Sequence, residues 1–380
     1  MTSSKKVSMG NTPLAWAAEN GHEDVVKVLL DQDDIDPDKE GEDGETPLFL
    51  AAYNGHEGVV KMLLGRDDID ADKSNEYGQT PLSRAACNGH KGVAKMLLER
   101  YDVDPNTLDD YGETPLMWAV GNGHEEIVEM LLECDDIDPN KPGEEGRTPL
   151  TQAARDGHEG VVKMLLEHYD IDPNARDGYG ETPLLWAARN GHEGVVELLL
   201  GHDDINPNKP DQDGETPLLW AVLKEYAGVV KMLLGRDDVN PNKPDKDGHT
   251  PLWWAAHNGY GGVVKLLLAR DKVNPNKPDK DGQTPLWWPA FYGNEQIVKM
   301  LLARDDVNPN KPSKNGQTPL LRAACNGHEG VVKLLLEHHN VNPDMSDLNG
   351  QTPLWWATKN GHAGVIALLQ RSTSTTHSTV

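Results

Sequence analysis

Residues 245–278 read DKDGHTPLWWAAHNGYGGVVKLLLARDKVNPNKP, and the order of signals in this stretch decides the fold. Asp247-Gly248 is a turn signal. Thr250 is a good helix N-cap. Pro251 suits the first helical position, where its φ is pre-set and its missing N–H costs nothing. A short first helix is expected through about His257, broken by Asn258-Gly259. A second helix carries Val263, Val264, Leu266, Leu267 and Leu268. Asn274-Pro275-Asn276-Lys277-Pro278 then stops the helix and predicts an extended, turn-rich finger.

The same unit recurs along the chain. Thr-Pro-Leu begins at Thr12, Thr46, Thr80, Thr114, Thr148, Thr182, Thr216, Thr250, Thr284, Thr318 and Thr352, a fixed step of 34 residues. Neither helix of a unit can bury its apolar stripe alone, so the units must stack on one another. A chain of 380 residues would otherwise suggest two or three globular domains, but a fixed period overrides that prior. The expected architecture is an all-α solenoid: a segment at 1–6, eleven helix-turn-helix repeats with hairpin fingers over 7–370, and a disordered polar tail over 371–380.

The pattern G-x-T-P-L-x-x-A-A-x-x-G-H-x-x-V-V-x-x-L-L resembles the ankyrin repeat. It is nearly complete in residues 44–64 (GETPLFLAAYNGHEGVVKMLL) and 316–336 (GQTPLLRAACNGHEGVVKLLL). Long units such as RDDVNPNKPDKDGQTPLWW look like the ankyrin arrays of fungal proteins, including the C-terminal arrays of fungal immune-type receptors. The resemblance implies a non-catalytic scaffold that binds proteins. This chain departs from the family pattern in three ways. The segment after the second helix lacks the left-handed glycine cap, the finger gains residues and prolines, and the family's His after Thr-Pro-Leu is missing from every unit.

Composition excludes other classes. No apolar run approaches the roughly 18 residues of a membrane span. MTSSKKVSMG has no apolar core of a secretory signal. Cys87, Cys134 and Cys325 are odd in number and widely spaced, which implies neither a disulfide framework nor a zinc site and fits a reducing intracellular compartment, cytoplasmic or nuclear. A net charge of -26 argues against direct nucleic-acid binding. The charge is uneven: residues 1–190 carry 40 Asp+Glu against 17 Lys+Arg, and residues 191–380 carry 22 against 19. Repeat 1 (NTPLAWAAENGHEDVVKVLL) reads like an internal unit, which favours a larger parent chain or a shortened gene.

The eleven copies can be compared with one another. With the Leu two after the Thr at 0° on a helical wheel, the alanines five and six after it fall at about 300° and 40°, on the core side. Positions three, four, seven and eight fall at about 100–240° and are expected to point away from the core, onto the concave wall of the stack. All ten tryptophans occupy positions three or four, and seven of them follow residue 190. Both phenylalanines, Phe49 and Phe291, share that face. The expected partner-binding set is Trp186, Trp220, Trp253, Trp254, Trp287, Trp288, Phe291, Tyr292, Trp355 and Trp356. Exposed Trp and Tyr are what a protein-binding groove uses. The alternative, that each Trp lies across the next unit's helix and seals the stack, stays open. So do two other functions: a regulatory co-factor acting through another protein, and an enzyme using the aromatic groove.

Several chemical-looking signals read as structural. Histidines ten after the Thr recur singly, without HxxxH spacing. Asp-x-Asp-Gly at 211–214, 245–248 and 279–282 lacks the bidentate Glu of a calcium loop and reads as a turn. The Asp-Asp pairs past the second helices read as solvated charge. No phosphate loop, dinucleotide glycine pattern, nucleophile elbow or zinc-protease motif occurs. The chain is therefore expected to be a monomeric, non-enzymatic module with a protein partner, no cofactor and no metal. Pro289, inside a first helix, predicts either a decayed unit or a shaped kink. Ser378-Thr379-Val380 looks like a ligand for PDZ-type domains.

Overall fold

The computed structural model describes residues 10–32 and 34–376, with side chains through 372. Among these residues the chain forms 22 α-helices and no β-strand, with single 3-10 turns at Glu42–Gly44 and Glu144–Gly146.

One repeat shows how the sequence dictates the pair. Thr46 Oγ1 accepts the N–H of Phe49 at 3.1 Å, and Pro47 opens the helix Pro47–Asn54. Gly55 ends it with φ 75°, and a Cβ there would lie 2.5 Å from His90 Nδ1. Glycine is needed for both the conformation and the room. The second helix, Glu57–Leu64, returns antiparallel. Leu48, Ala51 and Ala52 of the first helix and Val59, Val60 and Leu63 of the second are completely buried. Each such Leu contributes about 1.5–3 kcal/mol relative to exposure.

The chain falls into two compact units, residues 1–187 with 197–205, and residues 188–196 with 206–380. Within the first, the helices Pro13–Glu19, Pro47–Asn54, Pro81–Asn88, Pro115–Gly121 and Pro149–Asp156 stack in sequence order. Within the second, Pro217–Leu223, Pro251–Asn258, Trp287–Tyr292, Pro319–Asn326 and Pro353–Asn360 do the same.

The asparagines of the fingers form a ladder. Asn242 Nδ2 donates to the Lys272 carbonyl at 2.6 Å, while its Oδ1 accepts the Asn274 N–H at 2.7 Å. Asn106, Asn140, Asn208 and Asn276 make the same two contacts 30 and 32 residues on. Each asparagine thus satisfies a donor and an acceptor in the next turn of the stack. Asp38 and Asp72 stand at this position near the start. They accept the N–H of Asp70 and Asp104, but each Oδ1 is buried without a partner.

Arginine replaces the missing glycine caps. Arg66 holds Asp68 through two bonds of 2.7 Å and donates from Nη1 to the Leu30 carbonyl, at the end of the preceding second helix. Arg100 with Asp102 and Arg304 with Asp306 repeat this on Leu64 and Leu268. Asp68, Asp238 and Asp306, each the second of an Asp-Asp pair, are therefore ion-paired rather than simply solvated.

Three segments depart from the regular unit. In repeat 7, Glu225 takes the left-handed turn position with φ 59°, where other units have glycine. In repeat 9, Pro289 shortens the first helix to Trp287–Tyr292. Thr284 no longer caps it, and its hydroxyl is buried without a partner. Pro289 cannot donate to the carbonyl four residues back, and its ring displaces the preceding turn. At the C-terminal end, the last helix runs Ala363–Thr376, six residues into the tail expected to be disordered from 371. Neither Gly nor Pro interrupts 365–376, so nothing in the sequence stops the helix. Residues 377–380, with the Ser378-Thr379-Val380 motif, lie outside the described residues, as do residues 1–6.

Candidate partner-binding face

The two tryptophan positions play different parts. Position three is not exposed: Trp253 and Trp287 are each 4% accessible and Phe49 1%. The two tryptophan rings insert against the following repeat. Trp287 Nε1 donates to the Gln317 carbonyl at 3.2 Å, and the Trp253 ring meets Trp288 edge-on at 6.2 Å. Trp253 and Trp287 of the expected partner-binding set are thus covered by the next repeat. A direction away from the core of one's own helix is, in a stack, a direction into the neighbour. Trp355, at the same position in the last described repeat, is 40% exposed.

In five repeats the position-four tryptophan is half-buried and tethered. The indole N–H of Trp118, Trp186, Trp220, Trp254 and Trp356 donates to Oδ2 of Asp109, Asp177, Asp211, Asp245 and Asp347 respectively, at 2.8–3.0 Å. Oδ1 of the same aspartate accepts two backbone N–H groups of its own turn, as Asp211 does from Asp213 and Glu215. The Asp-x-Asp-Gly segments at 211–214 and 245–248 are therefore turn nodes whose acceptors are already used. Sequence reasoning missed this pairing, although the signal was there. Asp stands five before the Thr in six units, all six have Trp at position four, and repeats 2, 3, 5 and 10 lack both. In repeat 9 the pair Asp279 and Trp288 is present, but Trp288 Nε1 is buried without an acceptor. Pro289 has moved the helix start that would aim it.

In the second unit these positions build one contiguous aromatic cluster. Trp253 stacks on His257 at 4.9 Å, and His257 meets Trp288 edge-on at 4.6 Å. Trp288 stacks on Tyr292 at 5.4 Å, and Trp287 stacks on Phe291 at 5.6 Å. Burial, then the charge of His249, push the His257 imidazole below its ordinary value. Tyr292 is 54% exposed and caps the cluster. Trp220 and the Trp355–Trp356 pair stand apart from it, and Trp186 belongs to the first unit.

Cations lie over several of these rings. Arg189 sits 4.3 Å from the Trp220 centroid, Arg322 4.7 Å from Phe291, and Lys359 4.8 Å from both Trp355 and Trp356. At the edge, burial followed by Asp211, Asp213 and Asp245 pushes the Glu215 carboxyl up to about 7, against the opposing Arg189.

The other residues singled out are structural. His56, His90, His124, His328 and His362 each contact, through Nε2, a backbone carbonyl of the preceding repeat at 2.8–3.1 Å. No group of three or more metal-binding side chains forms among the described residues. Burial, then Asp135, Glu133 and Asp136, push the Cys134 thiol up, away from a reactive thiolate.

Models of the ankyrin repeat match this chain nearly throughout. The three-copy ankyrin model matches residues 34–109, 101–177, 171–245, 229–312 and 306–378, and the single-repeat model matches 9–41. The chain belongs to the ankyrin-repeat family. Repeats of this family are, in general, protein–protein interaction modules and typically non-catalytic. No curated protein matches the chain. No helix among the described residues is long and apolar enough to cross a membrane.

Proposed function

We propose that this chain is a non-catalytic scaffold that binds a protein partner on the aromatic inner face of its second unit. The carrying observation is the run of half-exposed rings at Trp220, Trp254, Trp288, Tyr292 and Trp356, with Trp355 open beside them. Such rings bury much area at low entropic cost, which is how hot spots work. Trp253 and Trp287 lie beneath this layer and hold the repeats in place. Whether the role is that of a transcriptional co-regulator or of the recognition part of a receptor is a property of the partner. The free cysteines support an intracellular setting, cytoplasmic or nuclear.

The test is affinity capture followed by calorimetry of the captured protein against Tyr292→Ala and Trp254→Ala. Tyr292 makes no hydrogen bond within the described structure that its loss would break, so Tyr292→Ala should leave the helical circular dichroism intact while weakening binding at least tenfold. Undiminished binding by both variants would move the site to the fingers or to the acidic first unit.

A further inference from the structure

The inner face of the second unit differs in charge from the rest of the molecule. From Arg189 to Asn360, positions three, four, seven and eight of the repeats carry Arg189, Lys224, Arg322 and Lys359 and not one acid, in a chain of net charge -26. Glu225 follows at position nine of repeat 7, in the turn.

Three of these cations have no counter-charge. Lys224 lies 5.8 Å from the Trp220 centroid, Arg322 lies 5.1 Å from Trp287 and 4.7 Å from Phe291, and Lys359 lies 4.8 Å from Trp355 and Trp356. None of the three side chains makes an ion pair or hydrogen bond among the described residues. Elsewhere in this unit Arg236 and Arg304 each grip an aspartate, Asp238 and Asp306, through two bonds of 2.7–2.9 Å. Arg322 is the sharpest case. It is half-buried, its Nε is enclosed without an acceptor, and burial depresses its basicity. An aromatic ring face returns only part of what a guanidinium loses on leaving water, and a carboxylate completes it.

Spacing defines the shape of the missing acid. Stacked helices lie about 8–10 Å apart, and an extended chain advances about 3.3 Å per residue. One repeat therefore spans roughly three peptide residues. Arg322 and Lys359 belong to adjacent repeats, so their carboxylates stand roughly three residues apart. Lys224 lies three repeats from Arg322, roughly nine residues, across the rings of Trp254, Trp288 and Tyr292.

We propose that this face receives an extended acidic segment of a protein partner, on the order of a dozen residues long. Its carboxylates meet Lys224, Arg322 and Lys359, and its apolar centre lies over Trp254, Trp288 and Tyr292. This rests on the aromatic face being the binding site, and it names the chemistry that site selects.

The experiment uses the full chain. Fluorescein-labelled copolymer of Glu and Tyr, copolymer of Lys and Tyr, and oligo(dT) are titrated by fluorescence anisotropy. In parallel, random twelve-residue peptides are selected by display. The expected result is salt-sensitive binding of the Glu–Tyr copolymer alone, and selected peptides rich in Asp and Glu. Arg322→Gln and Lys359→Gln should each weaken binding about tenfold. Lys359 is exposed, so Lys359→Gln keeps the test sound if Arg322→Gln perturbs packing. Selected peptides that are neutral or basic, lost in Tyr292→Ala but indifferent to Lys359→Gln, would overturn the acidic partner and leave the aromatic face standing. Binding of oligo(dT) in place of the peptide would overturn it in favour of a nucleic acid. Failure of all probes and of the selection on this face would remove both readings.

Discussion

Trp356 Nε1 donates to Asp347 Oδ2 at 3.0 Å, nine residues away in sequence and within one repeat. Oδ1 of the same aspartate accepts the N–H groups of Asn349 and Gln351, each at 3.0 Å. One carboxylate thereby fixes the finger turn, its own repeat and the pose of an inner-face tryptophan. Burial would raise the Asp347 carboxyl, but the donors of Gln351, Trp356 and Asn349 outweigh it and hold the group below its ordinary value.

Replacing Asp347 with Asn should loosen this repeat. The new amide presents N–H to N–H at the indole, leaving a donor unpaired at a cost of about 1–3 kcal/mol. Because the folded carboxyl is depressed, its stabilisation is full above the ordinary aspartate value and is lost as pH falls through the folded one. Asp347→Asn should therefore lower urea resistance of the last repeats at pH 7, and the gap to the parent should narrow near pH 3. Equal urea midpoints at pH 7 would show that the bond contributes nothing.

The finger ladder predicts the opposite sign at Asp72. Its Oδ1 is buried without a partner, where Asn106 and its equivalents use Nδ2 to reach a carbonyl 30 residues on, which from Asp72 falls at Asp102. Burial, then the nearby Asp104 charge against the Asp104 N–H, raises the Asp72 carboxyl. Asp72→Asn should supply the missing donor and stabilise the first unit by about 1 kcal/mol at pH 7. The gain should shrink in acid, where the aspartate is protonated and can itself donate. Chemical denaturation at pH 7 and pH 4 reads both, and a loss at pH 7 would refute the ladder.

Glu215 gives a pH signature near neutrality. Its folded value is raised to about 7 from 4.5. The native state therefore holds more protons than the unfolded state between those values, and stability falls as pH rises through that window. Glu215→Gln should raise the melting temperature at pH 8 and change little at pH 4, where the glutamate is protonated in both states. Gln283, Gln317 and Gln351 already occupy this position in other repeats. A larger effect at pH 4 than at pH 8 would contradict the cause assigned.

Pro289→Ala should stabilise repeat 9. The parent leaves Thr284 Oγ1 and Trp288 Nε1 buried without partners, and alanine restores a backbone donor and frees the helix to begin at Pro285. The expected gain is about 1–3 kcal/mol. Amide exchange over 284–292 should be faster than over 318–326 in the parent and equal in the variant. Equal protection in the parent would mean that the surrounding rings compensate fully for the proline.

The sequence by itself determined the period of 34, the Thr-Pro cap of each first helix, the Leu–Ala–Val core and the defect at Pro289. These depend on contacts within a few residues, which periodicity and capping chemistry report directly. The Asp–Trp pairs were legible too, as a covariation among the copies. Only the tertiary structure decided that Trp253 and Trp287 are covered while Tyr292 and Trp355 are open. It alone set Asn242 against Lys272 and left Arg322 without an acid. A helical wheel gives direction about one axis. In a stack of repeats, burial and pairing belong to the neighbour about 30 residues further along, whose distance and tilt no single helix encodes.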